Sequence, residues 1–299
     1  MAPPEFPGTA GLILCGGQSS RMGRDKAGLR FGKETLLERV VRRMRAVADP
    51  VLVAVPPRAA RQAPPSLPAG VIAVPDRSAY DGPLMGLAEG FRRLQGESSR
   101  VLVMAVDMPF FTEPWLARLA AALSETAAAM YRYEGFQNAL TAGYRLSLLP
   151  KLERLIAEGA RRPIALAEGE SPRVLTIEDL WRAGEGPPPL MDVDRMEDYR
   201  DALRWEGLGD AQGLPVWAQW RTPEESRESD SPADWVRIPL WARTAAQALA
   251  LAARVYPEWA ARLRAAGAQG AARVIRGGAA RDIGWEAALQ ADDTLVLEC

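Results

Sequence analysis

The sequence predicts an α/β fold, with a parallel sheet covered on both faces by helices and then a small α+β unit. Three observations carry that reading. Short apolar runs recur at Gly11-Leu12-Ile13-Leu14, Val51 to Val55, Val71 to Val74 and Val101 to Val106, the pattern of strands buried on both faces. Segments of helical spacing alternate with them. After residue 206 the pattern changes, and Gly207-Leu208-Gly209-Asp210-Ala211-Gln212-Gly213 reads as a linker between domains at 1–206 and 214–299.

Each element has its own justification. Gly11 to Leu14 runs straight into Gly16-Gly17. Thr35-Leu36-Leu37-Glu38 fits a capping box, and Leu36, Leu37, Val40, Val41 and Met44 continue it as an apolar helix face. The strand Val71 to Val74 ends at Pro75-Asp76. Pro83 to Leu94 places Leu84, Leu87, Phe91 and Leu94 on one helix face. The strand Val101 to Val106 ends at Asp107, and Thr112 is positioned to cap a helix reaching Leu123. Met130 to Tyr133 and Ala139 to Tyr144 flank Glu134-Gly135-Phe136-Gln137 as a hairpin or as excursions over the rim. Helical stretches follow at Leu146 to Ala157 and Met196 to Trp205. In the second domain, Leu214 to Arg221 and Trp235 to Trp241 are strand-like, Thr244 to Val255 is a helix, and Ala271 to Arg276 and Thr294 to Glu298 are strands.

Composition bounds the chemistry. The 299 residues carry 37 basic and 38 acidic side chains, two cysteines and no histidine. That balance predicts no broad attraction to nucleic acid or to an anionic membrane. Without histidine there is no Ser-His-Asp or Cys-His catalysis and no His-ligated zinc. Cys15 and Cys299 cannot form a Cys₄ site or a disulfide framework. Carboxylates, Lys, Arg, backbone amides or an oxygen-held metal must do the work. No stretch reaches the length of a membrane span, and Met1 to Thr9 lacks a signal-peptide pattern, so a cytoplasmic location is expected.

Ligands of such sheets bind beyond the carboxyl ends of the strands, which gathers Gly16-Gly17, Asp76 and Asp107 on one rim. The most informative segment is Leu14-Cys15-Gly16-Gly17-Gln18-Ser19-Ser20-Arg21-Met22-Gly23-Arg24-Asp25-Lys26. Its glycines let backbone amides approach a ligand closely. Ser19 and Ser20 add donors, and Arg21 and Lys26 add charge, a combination suited to a polyphosphate. It is neither a P-loop nor a dinucleotide fingerprint.

This segment resembles the signature of molybdenum cofactor guanylyltransferases, within the nucleotidyltransferase superfamily. Asp76, Gly82-Pro83-Leu84, Asp107-Met108-Pro109 and Asp192-Val193-Asp194-Arg195-Met196-Glu197-Asp198 add to the resemblance, which spans about residues 10–205. The resemblance implies a Rossmann-like doubly wound nucleotidyltransferase domain. It implies transfer of GMP from GTP to molybdopterin or its molybdenum form, with pyrophosphate released. It further implies that Leu14, Cys15, Gly16, Gly17 and Ser19 contact the nucleotide, that Arg21 and Lys26 act on the phosphates, and that Asp76 sits at the nucleoside. Asp107 then binds Mg²⁺ and nucleotide, with Asp194, preferred over Asp192, as second metal ligand. Ala54 stands where the family often has asparagine, which keeps a cytidylyltransferase or a different acceptor in view. A non-catalytic pathway adaptor is the reading from another class.

Residues 214–299 resemble the β-grasp small subunit of molybdopterin synthase, through the strand pairs, the helix with Val255-Tyr256-Pro257, and Arg273 to Gly278. The family's sulfur carriers end in Gly-Gly, whereas this sequence ends Leu297-Glu298-Cys299, so sulfur carriage is not expected. Six of the nine tryptophans fall here, Trp217, Trp220, Trp235, Trp241, Trp259 and Trp285. Between Trp235 and Trp241, Val236, Ile238 and Leu240 alternate with tryptophan, arginine and proline. The Trp- and Arg-bearing face is a candidate to dock a molybdopterin-handling partner protein or the first domain.

Overall fold

The computed structural model describes residues 6–15, 26–32, 34–55, 67–75, 82–181, 187–206, 214–221, 236–255, 272–276, 279–284, 286–290 and 294–298. The chain divides into two compact units. One comprises Met1–Leu29 and Thr35–Asp194, the other Arg30–Glu34 and Arg195–Cys299. Among the described residues, no helix is long and apolar enough to cross a membrane.

The elements follow the sequence closely. β1 (Thr9–Leu14) is buried throughout. Two short strands, β2 (Arg30–Phe31) and β3 (Glu34–Thr35), precede α1 (Leu36–Arg45). The Thr35 hydroxyl accepts from the Glu38 N–H at 3.1 Å, and the Thr35 N–H donates to Glu38 Oε2 at 2.7 Å, completing the expected capping box. β4 (Val51–Val55), β5 (Ile72–Pro75), α2 (Pro83–Leu94), β6 (Arg100–Ala105) and α3 (Glu113–Ala122) come next. Thr112 occupies the N-cap position of α3 with an extended backbone, but its hydroxyl makes no cap bond. β7 (Ala128–Tyr133), β8 (Phe136–Arg145), α4 (Leu149–Ala157) and β9 (Arg173–Thr176) complete the first unit.

The seven strands form one sheet in the order β5-β4-β1-β6-β8-β7-β9. β5, β4, β1 and β6 are parallel neighbours, as expected, but β8 runs antiparallel to both β6 and β7. The sheet is therefore mixed, not wholly parallel. The cause is local. Glu134 and Gly135 both have positive φ, 48° and 82°, and turn the chain in two residues, so Phe136 and Gln137 belong to β8 and not to the loop. The tight hairpin sends β8 back, and it inserts beside β6.

Alternation along each strand feeds two cores. Ile13, Val53 and Met104 pack under α1 and α3 with Leu37, Val40, Met44, Leu116 and Leu119. Leu12, Leu52 and Val103 pack under α2 and α4 with Leu84, Leu87, Phe91 and Leu152. On α2, a Cβ at Gly90 would stand 2.4 Å from Leu12 Cδ2, so the helix lies against the sheet where no side chain intervenes. This packing fixes the strand ends that carry the site.

The second unit begins its main part with α5 (Met196–Trp205), whose N-terminus is closed by the Arg195 N–H donating to Asp198 Oδ2 at 2.7 Å. The residue at the cap is thus Arg195. The Tyr199 hydroxyl donates to the Arg30 carbonyl. β10 (Leu214–Arg221), β11 (Val236–Ala242), α6 (Ala245–Val255), β12 (Ala272–Arg276), β13 (Ala279–Ile283) and β14 (Thr294–Glu298) follow. Their sheet has the order β11-β10-β14-β12-β13, with β10 and β14 parallel and the other pairs antiparallel. β13 was not expected. It is an edge strand, exposed at Ala279, Ala280, Arg281 and Asp282, with no apolar run to announce it. Residues 207–213, Trp235, Tyr256-Pro257, Trp259, Gly277-Gly278, Trp285 and Cys299 lie outside the described residues.

Candidate active site

The site grows from the carboxyl ends of β1 and β6. The Cys15 N–H donates to the Ala54 carbonyl at 3.0 Å, and the Leu14 carbonyl accepts from the Val106 N–H at 3.2 Å. Leu14 is buried and Cys15 half-buried. Both strand neighbours therefore pin the end of β1. Gly16, Gly17, Ser19, Arg21 and Asp76 lie outside the described residues.

Lys26 opens a single 3-10 turn, Lys26–Gly28. Its ammonium donates to Asp107 Oδ2 at 2.9 Å and to Asp194 Oδ1 at 2.5 Å. The chain thus brings together three of its sequence-predicted site residues, 81 and 168 positions apart. The side chains of Lys26 and Asp107 are 16% and 19% exposed and that of Asp194 45%, so the cluster opens toward solvent on the Asp194 side. Burial pulls the Lys26 pKa down, but the Asp107 charge and the hydrogen bonds of both carboxylates outweigh it and hold the ammonium above its ordinary value. Lys26 is a fixed cation at neutral pH.

Two further contacts fix the carboxylates. The buried Val193 donates its N–H to the Asp107 carbonyl at 3.0 Å, stitching the segment that carries Asp194 onto the Asp107 loop. Beyond Asp107, the Pro109 carbonyl accepts from Arg39 Nε at 2.9 Å and from Arg43 at 2.5 Å, and the Phe111 carbonyl accepts from Arg43 at 3.3 Å. Arg39 and Arg43 are only 8% and 7% exposed. Sequence reasoning passed over them. Their signal was a pair of arginines four apart on α1, flanked on that helix by Leu36, Val40 and Met44.

Beside Asp107 lies a cleft of about 570 Å³, wholly within the first unit. Tyr133, Phe136, Asn138, Arg162 and Asp192 help to line it. Its volume suits a small organic ligand. Asp192 thus faces the cleft, and Asp194 is the residue at Lys26. Sequence reasoning also missed the cleft wall, because it comes from the hairpin inserted beside β6.

The first unit is thus a mixed α/β sheet with a lysine held between two carboxylates at its strand ends, next to a ligand-sized cleft, and the family match makes it an α/β nucleotidyltransferase. The family model described as the MobA-like NTP transferase domain matches residues 11–172, over half the chain, and the chain belongs to that family. It is 34% identical over 196 residues to a probable molybdenum cofactor guanylyltransferase of Opitutus terrae, covering 62% of this chain and 93% of that one. A probable molybdenum cofactor guanylyltransferase of Mycobacterium avium is 34% identical over 174 residues, 57% of this chain and 86% of its own. The fold is also that of a solved structure, molybdopterin-guanine dinucleotide biosynthesis protein A from Archaeoglobus fulgidus. The two share a TM-score of 0.53 at 18% identity, over 66% of this chain and 98% of that chain.

Proposed function

We propose that the first unit transfers GMP from GTP to molybdopterin or the molybdenum cofactor, giving the guanine dinucleotide cofactor and pyrophosphate. The carrying observation is the Lys26 ammonium between Asp107 and Asp194 at the strand ends. The relatives named for this activity support the acceptor and the base.

The chemistry requires an oxyanion to reach the α-phosphorus while pyrophosphate leaves in line. The nucleophile is the acceptor's own phosphate, anionic near neutral pH, so a chain without histidine loses nothing. The barrier is repulsion between anions. Lys26, with Arg21, offsets it and stabilises charge on the leaving group. Gly16, Gly17 and Ser19, with the backbone of Leu14 and Cys15, are assigned to the nucleotide, and Asp76 to its nucleoside end. Asp107 and Asp194 fit Mg²⁺: both are hard oxygen donors within reach of one ammonium. Mg²⁺ usually takes one or two carboxylates and completes its shell with phosphate and water. When bound, Mg²⁺ supplies charge neutralisation at the phosphates. The chain's residues do the rest. Lys26 can pass from carboxylate to phosphate without changing protonation, and Val193, Arg39 and Arg43 keep Asp107 in place.

We further assign residues 214–299 to the β-grasp architecture, within a division at 1–206, 207–213 and 214–299. The strand order β11-β10-β14-β12-β13, with β10 parallel to β14, supports this. Its Trp-bearing strand is assigned to docking a protein partner of cofactor synthesis.

The deciding experiment measures pyrophosphate release by the full chain with molybdopterin and Mg²⁺, using GTP and CTP in parallel. Release with GTP alone is expected. Release with CTP alone, or with neither, would overturn the proposal.

A further inference from the structure

The wall of the cleft holds an amide whose orientation the fold itself fixes. The pairing of β7 with β8 jumps from Met130↔Ala142 to Tyr131↔Asn138, so Ala139, Leu140 and Thr141 drop out of that pairing. Such a bulge orphans backbone groups, which must find partners. Asn138 Oδ1 accepts from the Leu140 N–H at 3.2 Å and the Thr141 N–H at 2.9 Å, and the buried Tyr144 hydroxyl donates to the Ala139 carbonyl at 2.8 Å. Only the oxygen of the Asn138 amide can accept those two N–H groups, so its assignment leaves no ambiguity. Nδ2, with two N–H donors, is the end left over, and among the described residues it has no partner. Asn138 lines the same cleft as Asp107.

Phe136 stands two residues away on β8, also lines the cleft, and is 81% exposed. A phenyl ring held in the open on a two-residue hairpin forgoes the burial that usually stabilises it. A flat ring laid on it recovers that area.

We infer that Asn138 and Phe136 recognise the ring end of the acceptor, a planar heterocycle carrying hydrogen-bond-accepting oxygen or nitrogen, while its phosphate end lies at Asp107. This rests on the transferase reading above and adds the residues that select the acceptor. Asn138 donates to the heterocycle's acceptor atom, and Phe136 stacks on its face. The two donors are preorganised, because the bulge holds the amide before any ligand arrives.

Asn138→Asp tests this cleanly. The aspartate keeps an oxygen for the Leu140 and Thr141 amides but replaces the two donors with an anionic acceptor. Phe136→Ala is the second variant, and its exposed ring makes it safe for folding. Molybdopterin is the probe, measured both by equilibrium binding without GTP and by KM in the transfer assay. Weakening by about tenfold or more is expected in each variant, with the KM for GTP unchanged. If both variants bind molybdopterin within about twofold of the parent chain, the inference is overturned, as it is if the parent itself does not bind. Molybdopterin binding that both variants weaken, with no guanylyl transfer by the parent, upholds this inference and sinks the transferase reading instead.

Discussion

Replacing Lys26 with methionine removes the ammonium while keeping most of the volume. The structure sets the size of the effect. Breaking a fully buried ion pair costs about 3–5 kcal/mol, and exposed pairs contribute about 0–1 kcal/mol. Lys26 and Asp107 are largely shielded but Asp194 is nearly half exposed, so about 2 kcal/mol is expected. In a unit of this size that lowers Tm by about 4–8 °C, which leaves the chain folded at assay temperature. The effect on turnover is larger. In the proposed transfer Lys26 meets the phosphate charge that builds, and losing such a group lowers kcat by about 10²–10³-fold. Stopped-flow pyrophosphate release with GTP and molybdopterin, beside a melting curve, reads both. A kcat within about threefold of the parent, in a variant that melts as expected, would refute the assignment of Lys26 to the phosphates.

Other perturbations probe the frame. Arg43→Met removes the bonds to Pro109 and Phe111 and should cost about 2–3 kcal/mol. By loosening the Asp107 loop it should also lower kcat by about 10²-fold, and a melting shift with full activity would show that the loop holds without it. Gly90→Ala puts a methyl against Leu12, and calorimetry should show a loss of about 1–2 kcal/mol, whereas a gain would mean that the helix slides freely. Tyr131 and Tyr144 carry hydroxyls whose pKa is raised, mainly by burial, with Arg118 opposing the rise at Tyr131. Above the ordinary tyrosine value near ~10 the unfolded chain loses protons that the fold retains. Stability is then pH-independent in these groups below about pH 10 and falls as pH rises beyond it. Tyr131→Phe should flatten that alkaline decline in urea titrations, and an unchanged slope would count against the shift.

Much of this was legible in the residues because it depends on local pattern. Val51 to Val55 buries both faces, so apolar continuity located that strand to the residue. The Thr35 and Glu38 capping box is a four-residue motif and formed as written. Asp107 could be placed because a carboxylate directly after a buried strand has to sit at the rim. What the sequence did not disclose depends on distant pairing. The hairpin at Glu134-Gly135 could be anticipated, but the place of β8 beside β6 could not, and the task of Asn138 follows from a register jump visible only once β7 lies beside it. The spacing of Arg39 and Arg43 does not by itself set them apart from ordinary charged helix residues, and only the carbonyls of a loop about 70 residues on give them a reason to be inside. β13 has too few strand-forming side chains to stand out.

Arg30–Glu34 sits within the first unit's stretch of sequence yet packs with the second, and Tyr199 reaches back to hold the Arg30 carbonyl. The division of contacts therefore does not follow chain order. Trimming the chain at residue 195 would remove α5, and with it the Tyr199 hydroxyl that holds the Arg30 carbonyl on the short strand following the Lys26 turn.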